Sequence, residues 1–245
     1  MSRKKGGGLG ETIKTVVYAF LIAIVIRTFA YEPFRIPSGS MIPTLLVGDY
    51  LFVSKFSYGY SRFSFPMGII PLSGRVLGDV PKRGDVVVFK EPNDTSVDFI
   101  KRVVGLPGDR IQVIDGILNV NGEPVRRERT EDFVQREAGG SVLRLTQYQE
   151  TLPNGVVHPI LEIHGDTYFL DNTREFRVPE GHYFMMGDNR DSSQDSRATV
   201  GFVPAENLVG RAEFVFFSHD GSAAIWQVWK WPFAIRWDRF FHSID

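Results

Sequence analysis

The chain has 245 residues, with 28 basic and 29 acidic side chains, so its formal net charge at pH 7 is −1. This length allows one large or two modest domains, and the 43% share of hydrophobic residues allows a substantial core. Nucleic acid is not expected as a partner, because phosphate binding requires an excess of basic residues. The chain contains no cysteine, which excludes disulfides, thiolate catalysis and cysteine-ligated metals.

An apolar segment lies near the N-terminus, from about Ile13 to Tyr31, behind basic residues at positions 3–5. Its uninterrupted apolar core covers 16–26, and its flanks extend it to the ~20 residues that a bilayer-spanning helix needs. A cleaved signal peptide should end in a small-x-small site, and an amphipathic surface helix should have a polar face; neither feature is present. The segment therefore predicts one retained span, with the N-terminus inside and the rest of the chain outside.

After residue 34 the pattern changes to short runs of β-branched and aromatic residues between Gly, Pro and Asp. This pattern predicts a mainly β, antiparallel fold. Strands are predicted at 49–54, 85–89, 110–114, 117–120, 167–170, 182–186 and 211–217. The aromatic stretch 57–78 is expected to form a hairpin or loop near the membrane, and the polar stretch 123–166 to belong to an inserted subdomain.

All four tryptophans lie between Trp226 and Trp237. This segment is too short and too interrupted for a second membrane span. Amphipathic rings suit the headgroup layer, so an interfacial anchor is favoured over a flap packed on the core.

Two serines follow the apolar segment, in the motif Pro-Ser-Gly-Ser-Met-Ile-Pro-Thr at 37–44. A serine hydroxyl is a weak nucleophile until a base takes its proton. The five histidines are poor candidates for this base, because none stands in a recognisable triad setting. Lys101 is a better candidate, because it ends the mostly apolar run 97–100, and burial lowers the pKa of an ammonium group by up to ~3–5 units.

A third motif, Gly-Asp-Asn-Arg-Asp-Ser-Ser-Gln-Asp-Ser-Arg, occupies 187–197. Its acidic residues do not have the spacing of a calcium loop. This motif, the serine motif and Phe-Ile-Lys-Arg-Val-Val-Gly-Leu-Pro-Gly-Asp at 99–109 occur in order behind one anchor. Together they resemble the bacterial type I signal peptidases, the Ser/Lys-dyad leader peptidases of the cytoplasmic membrane. The resemblance covers most of residues 12–218.

The resemblance implies a role for each matching residue. Ser40 would be the nucleophile and Lys101 the general base. Ser38 Oγ and the backbone N–H of Ser40 would form the oxyanion hole, and Ser193 would orient the lysine amine. Asp195 and Arg197 would form a structural ion pair behind the site; a pair of this kind in a polar loop is more often a local turn brace than a catalytic group. The resemblance implies no cofactor and no metal.

The predicted organisation is an anchor (1–31), a first part of the catalytic core (32–107), an inserted smaller β subdomain (108–180) and a second core part (181–245). Residues flanking the dyad are predicted to line shallow apolar pockets that accept small side chains: Ile36, Pro37, Met41, Leu45, Phe99 and Ile100. The expected partners are the lipid bilayer and signal peptides of exported preproteins, cleaved on the outer face of the cytoplasmic membrane.

Two alternatives stay open. A related Ser/Lys protease dedicated to one substrate, such as a pilin or a conjugation factor, would keep the dyad and differ in its pockets. A membrane-tethered binding module without activity is disfavoured by the joint presence of Ser40, Lys101 and Ser193.

Overall fold

A long N-terminal helix precedes a β-rich remainder. The computed structural model describes residues 9–65, 72, 74–136, 142–166, 168–224 and 226–244. Helix α1 (Leu9–Phe29) starts before the predicted span, and its last residue lies two positions before Tyr31, the predicted end of that span. Within the described part of the chain, it is the one helix long and apolar enough to cross a membrane, with a mean hydropathy of 1.8 and almost no buried residues.

Eight strands form the main sheet, and all its ladders are antiparallel. In spatial order they are β1 (Tyr31–Arg35), β2 (Asp49–Ser54), β15 (Leu208–Ser218), β3 (Val86–Lys90), β4 (Asp98–Gly105), β13 (His182–Met186) and β14 (Val203–Pro204), with β16 (His242–Ser243) beside β15. This architecture confirms the prediction of a mainly β, antiparallel fold with one apolar N-terminal helix.

Two smaller sheets lie in sequence between β4 and β13. One contains β5 (Arg110–Ile114), β6 (Ile117–Val120), β7 (Glu123–Pro124) and β12 (Phe176–Arg177). The other contains β8 (Arg126–Arg129), β9 (Phe133–Arg136), β10 (Val142–Thr151) and β11 (Val157–Glu162). All eight strands fall inside 108–180, the range predicted for an inserted subdomain, and the division of the chain into domains stays a prediction.

One predicted strand is wrong. Residues 168–170 form bends and turns instead of a strand, and Thr167 lies outside the described residues. The Asp171 carboxylate accepts the Tyr168 N–H, and the Asp171 N–H donates to the Tyr168 carbonyl. Local bonds of this kind compete with strand pairing, and the apolar pattern alone does not register them.

The end of α1 is attached to the β-rich part. The Lys55 N–H donates to the Ala30 carbonyl at 2.9 Å, and Tyr60 Oη donates to the Phe29 carbonyl at 2.6 Å. The Phe29 ring also packs against Tyr60 and Phe65, each at 5.9 Å between ring centroids. The aromatic stretch 57–78 therefore lies beside the end of the helix, as far as it is described; residues 66–71 and 73 of it are not.

The tryptophan-rich segment lies on the surface. It contains α2 (Trp231–Ala234), and the exposed fractions of its indoles are 76% for Trp226, 66% for Trp229, 41% for Trp231 and 60% for Trp237. Such exposure does not fit the flap packed on the core and favours the interfacial alternative.

Candidate active site

Ser40 lies in the loop between β1 and β2. Backbone bonds close the base of this loop, since the Gly48 N–H donates to the Ile36 carbonyl and the Ile36 N–H to the Asp49 carbonyl. Met41, the next residue, is fully buried in the core of the main sheet. Ser40 itself is 8% exposed, so the loop shields most of the residue from solvent.

Lys101 lies on β4, between β3 and β13, and is 4% exposed. Its Nζ is 2.7 Å from Ser40 Oγ and donates to the Ile100 carbonyl at 2.9 Å. Burial lowers the pKa of Lys101 to about 8, and the charges of Asp195 and Asp188 offset part of that effect. The structure thus brings together the two residues that the sequence predicted as nucleophile and base.

A buried ion pair lies next to Lys101 in sequence. Arg102 Nε and Nη2 each lie 2.9 Å from an oxygen of Asp188, and Nη1 donates to the Gly84 carbonyl at 2.7 Å. Thr44 Oγ1 also donates to Asp188. Burial would raise the pKa of Asp188, but the charge of Arg102 holds it well below its usual range. Sequence reasoning missed this pair, although both residues lie in the quoted motifs.

His158 and Glu150 extend this network, and no sequence pattern predicted their position. Both residues are 1% exposed. His158 Nε2 lies 3.3 Å from Glu150 Oε1, and Nδ1 lies 3.5 Å from Asp188 Oδ1, without good hydrogen-bond geometry. Arg190 bonds both oxygens of Glu150. The network connects β10 and β11 to the third motif.

The third motif packs directly on the Ser40 loop. The Asn189 N–H donates to the Ser40 carbonyl at 3.1 Å, and Asn189 Nδ2 donates to the Gly39 carbonyl at 3.2 Å. Gly187 passes so close that a Cβ there would lie 2.5 Å from the Ser40 carbonyl oxygen. Only a residue without a side chain fits at this position.

Ser193 is buried in the same motif, but its Oγ has no hydrogen-bond partner among the described residues. The predicted bond from Ser193 to the Lys101 amine is therefore not formed in this structure. Ser193 Oγ would lie 2.3 Å from a Cβ on Gly187, a residue that also touches the Ser40 loop. A role in orienting the lysine stays a prediction.

Asp195 and Arg197 form a buried bidentate pair. Arg197 Nε and Nη2 lie 3.0 and 2.9 Å from the two Asp195 oxygens, and the Gly187 N–H donates to Asp195 at 3.1 Å. Arg197 Nη2 also donates to the Arg190 carbonyl at 2.6 Å. Burial would raise the pKa of Asp195, but the charge of Arg197 lowers it. These bonds hold the motif in one conformation. The carboxylates of Asp188 and Asp195 are both paired with arginines.

The residues predicted to line pockets fall into three groups. Ile36, Met41 and Leu45 are buried in one core cluster, with Ile100 packed against it. Phe99 packs against a second cluster. Pro37 is exposed, as is Ser38, which was predicted for the oxyanion hole and not for a pocket. A cavity of about 540 Å³ lies farther along the sheet; its lining includes Arg27, Glu32, Phe34, Lys55, Lys90 and Asp98.

A serine hydroxyl in contact with a buried amine, on a β sheet joined to an apolar helix, fits the class of serine-type peptidases. The family model for signal peptidase, peptidase S26, matches residues 9–217. Signal peptidase I of Rickettsia typhi (strain ATCC VR-144 / Wilmington) is 46% identical over 216 residues, which cover 85% of this chain and 80% of that protein. The chain therefore belongs to the signal peptidase family, peptidase S26.

A further relative has the same name. Signal peptidase I of Rickettsia canadensis (strain McKiel) is 44% identical over 213 residues, covering 84% of this chain and 78% of that protein. A crystal structure of a signal peptidase I from Enterococcus faecalis V583 has 26% identity and a TM-score of 0.34, and covers 54% of this chain and 97% of that one. Membership of the family supports the removal of signal peptides as the activity.

Proposed function

We propose that the chain is a membrane-anchored serine endopeptidase that removes N-terminal signal peptides from exported preproteins with a Ser40–Lys101 dyad. The observation that carries the proposal is the 2.7 Å contact between Lys101 Nζ and Ser40 Oγ, with both residues buried. Because burial lowers the pKa of Lys101 to about 8, much of the amine is neutral in mildly alkaline buffer. A neutral amine at this distance can accept the serine proton.

In this mechanism Ser40 Oγ attacks the scissile carbonyl carbon while Lys101 Nζ accepts the hydroxyl proton. The oxyanion of the tetrahedral intermediate is bound by Ser38 Oγ and the Ser40 backbone N–H. Lys101 then donates its proton to the departing amine, which becomes the N-terminus of the mature protein. In the second half, Lys101 accepts a proton from the water that attacks the Ser40 ester and returns it to Ser40 Oγ as the carboxylic acid of the signal peptide leaves, which restores the free enzyme.

The substrate pocket is shallow in this proposal, because its floor belongs to the core. Met41 and Leu45 have no exposed surface, so they limit the depth beneath Ser40. Ile36, Pro37, Phe99 and Ile100 supply the surrounding walls. A shallow apolar pocket accepts small side chains and excludes large ones, which agrees with the small residues that the resemblance implies at the first and third positions before the cut.

The anchor places the dyad near the membrane surface. The fixed end of α1 leads directly into β1, and Ser40 is nine residues past Tyr31, at most ~30 Å of extended chain. A signal peptide is cut just outside its own apolar segment, so the nucleophile must lie close to the membrane surface. We place the N-terminus in the cytoplasm and the dyad on the outer face of the cytoplasmic membrane, in line with the basic residues before the helix.

The test is cleavage of a standard preprotein by the purified full-length chain in detergent, with the new N-terminus located by mass spectrometry. Ser40→Ala and Lys101→Ala should each retain less than about a thousandth of the wild-type rate, because nucleophile and base act as a unit. Exposed Ser96 and Lys82 give the matched controls Ser96→Ala and Lys82→Ala, which should stay fully active.

Substantial turnover by either dyad variant would remove that residue from its role. A panel of ordinary preproteins separates a general signal peptidase from a protease dedicated to one pilin or conjugation factor. Cleavage of a single member of the panel would favour the dedicated enzyme.

A further inference from the structure

Three buried carboxylates meet at one point outside the Ser40–Lys101 site. Glu162 ends β11, Asp171 follows the turn at 168–170, and Asp191 belongs to the third motif. Their exposed fractions are 1%, 1% and 7%, and one oxygen from each lies within 4.8 Å of the others. We call these three residues the acidic triad.

Several oxygens of the acidic triad lack partners. Asp191 Oδ2 accepts the N–H groups of Ile163 and His164, at 2.6 and 2.7 Å, and Asp171 Oδ2 accepts the Tyr168 N–H. The remaining oxygens, Asp171 Oδ1, Asp191 Oδ1 and both of Glu162, accept no hydrogen bond from the described residues and are sealed from solvent. Buried polar atoms of this kind normally have a partner, so the free oxygens indicate a bound species at this point.

The arginines near the acidic triad do not donate hydrogen bonds to its free oxygens. Arg127 Nη1 lies 3.7 Å from Glu162 Oε1, but its hydrogen bonds go to Asp166, at 2.8 Å, and to the Gly116 carbonyl, at 3.0 Å. Arg190, another nearby cation, bonds both oxygens of Glu150, and Arg197, whose charge also acts on Asp171, is paired with Asp195. Burial, together with the charges of Asp191 and Asp171, raises the pKa of Glu162 to about 8 despite the first two arginines.

We propose that the acidic triad binds a hard divalent cation, with Ca²⁺ preferred. Carboxylate oxygens are the ligands that Ca²⁺ and Mg²⁺ take in proteins. Ca–O bonds of ~2.3–2.6 Å let one ion reach oxygens up to about 5 Å apart, whereas the ~2.0–2.1 Å bonds of Mg²⁺ require a tighter group. The oxygens of the triad lie within 4.8 Å of one another, a limit that falls inside the reach of the larger ion. The ligands come from three separate segments, so spacing within the third motif could not predict the site, and the expectation of no metal is revised.

The cation would clamp β11 to the third motif. Asp191 is two residues from Asn189, which bonds the Ser40 and Gly39 carbonyls, so the ion would act on the loop that holds Ser40. The binding claim itself does not depend on the proposed peptidase mechanism. It can be tested on protein that has no activity, including Ser40→Ala.

The test is calorimetric titration of the full-length chain in detergent, stripped with EDTA, with CaCl₂ and MgCl₂ up to about 10 mM, which covers the weakest known calcium modules. We expect one Ca²⁺ per chain and a higher melting temperature in saturating Ca²⁺. Glu162→Gln and Asp171→Asn keep the side-chain shape and should lower the affinity at least tenfold. Glu175→Gln, at a half-exposed carboxylate outside the triad, is the matched control and should bind as wild type does.

Absence of binding by the wild-type chain overturns the proposal, whether or not the variants fold. Equal affinity in wild type and Glu162→Gln would place the ion elsewhere and also overturns it. If the wild-type chain binds no cation and Glu162→Gln has a higher melting temperature than wild type, the triad shares a proton instead of binding a metal ion. Tighter binding of Mg²⁺ than of Ca²⁺ would overturn the stated preference for Ca²⁺.

Discussion

Arg102 and Asp188 form a bidentate ion pair next to Lys101, with side chains 0% and 1% exposed. Thr44 and His158 contact the same carboxylate, so one side chain connects the Ser40 loop, the Lys101 strand and β11. Transfer of two charges from water into the core is costly, and only close pairing with further hydrogen bonds offsets that cost. The pair therefore supports the position of the dyad as long as both partners are present.

Arg102→Met should lower the free energy of unfolding by about 3–5 kcal/mol, because it leaves the Asp188 charge buried without its main partner. Urea unfolding of the full-length chain in detergent measures this change. Arg110→Met is the control, since Arg110 faces Glu175 at 3.6 Å on the surface and such pairs contribute about 0–1 kcal/mol. A loss below about 1 kcal/mol for Arg102→Met would show that the core relaxes around the unpaired Asp188.

The rate of preprotein cleavage should rise with pH through a midpoint near 8. The reason is that Lys101 must be neutral to accept the Ser40 proton, and burial lowers its pKa to about 8. Initial rates across the pH range measure the midpoint, and far-ultraviolet circular dichroism at each pH excludes unfolding as the cause. An ascending limb centred above about pH 10 would indicate an ordinary solvated lysine and contradict the dyad.

Lys101→Met should stabilise the protein while abolishing cleavage. The pKa of Lys101 is lower in the folded chain than in the unfolded chain, so the stability penalty of this lysine is fully present below about pH 8 and disappears as the pH rises past its unfolded value. At pH 7 the variant should gain about 1–3 kcal/mol, since lost bonds to Ser40 and Ile100 offset part of the relief. Urea unfolding at pH 7 and near pH 10 gives the two values, and an equal change at both would contradict the assignment.

The sequence predicted those parts of the structure that depend on local pattern. The strands Asp49–Ser54, Arg110–Ile114 and Ile117–Val120 are found where runs of β-branched and aromatic residues predicted them. The strand predicted at 167–170 is wrong, because hydrogen bonds of Asp171 form a turn there. Local pattern does not register such side-chain bonds.

The contact between Ser40 and Lys101 was predicted from a resemblance, since the two residues are 61 positions apart and only tertiary packing brings them together. The neighbours of His158 were not predicted for the same reason. These neighbours come from β10 and from the third motif, and the spacing of Glu150, His158 and Asp188 in the sequence does not predict their contact.

Gly187→Ala should lower kcat at least about 100-fold while the chain stays folded, because displacement of a nucleophile by about 1 Å is enough for such a loss. The added Cβ would lie 2.3 Å from Ser193 Oγ and 2.5 Å from the Ser40 carbonyl oxygen, so one of the two segments must move. Cleavage kinetics and urea unfolding, measured together, separate this effect from a general loss of stability.

Gly181→Ala is the matched control for that variant. It has no neighbour within 4 Å of the new Cβ but a φ of +69°, so it should cost ~1–2 kcal/mol of stability and leave kcat unchanged. Wild-type kcat/KM in Gly187→Ala would show that the third motif does not fix the Ser40 loop.

The tryptophan-rich segment should insert into the headgroup layer of the membrane. All four tryptophans of the chain lie at 226–237 and are exposed, so their fluorescence reports on this segment alone. Phe233, 88% exposed, adds apolar surface beside them. In vesicles of brominated lipid, the emission of the reconstituted full-length chain should be strongly quenched, and bromine near the headgroup should quench more than bromine at the chain ends.

Phe233→Ala should weaken the quenching, while Phe169→Ala, at a 69% exposed ring outside the segment, should not. Equal emission in brominated and ordinary lipid would show that the tryptophan-rich segment does not enter the membrane. In that case α1 alone would determine the distance of Ser40 from the membrane surface.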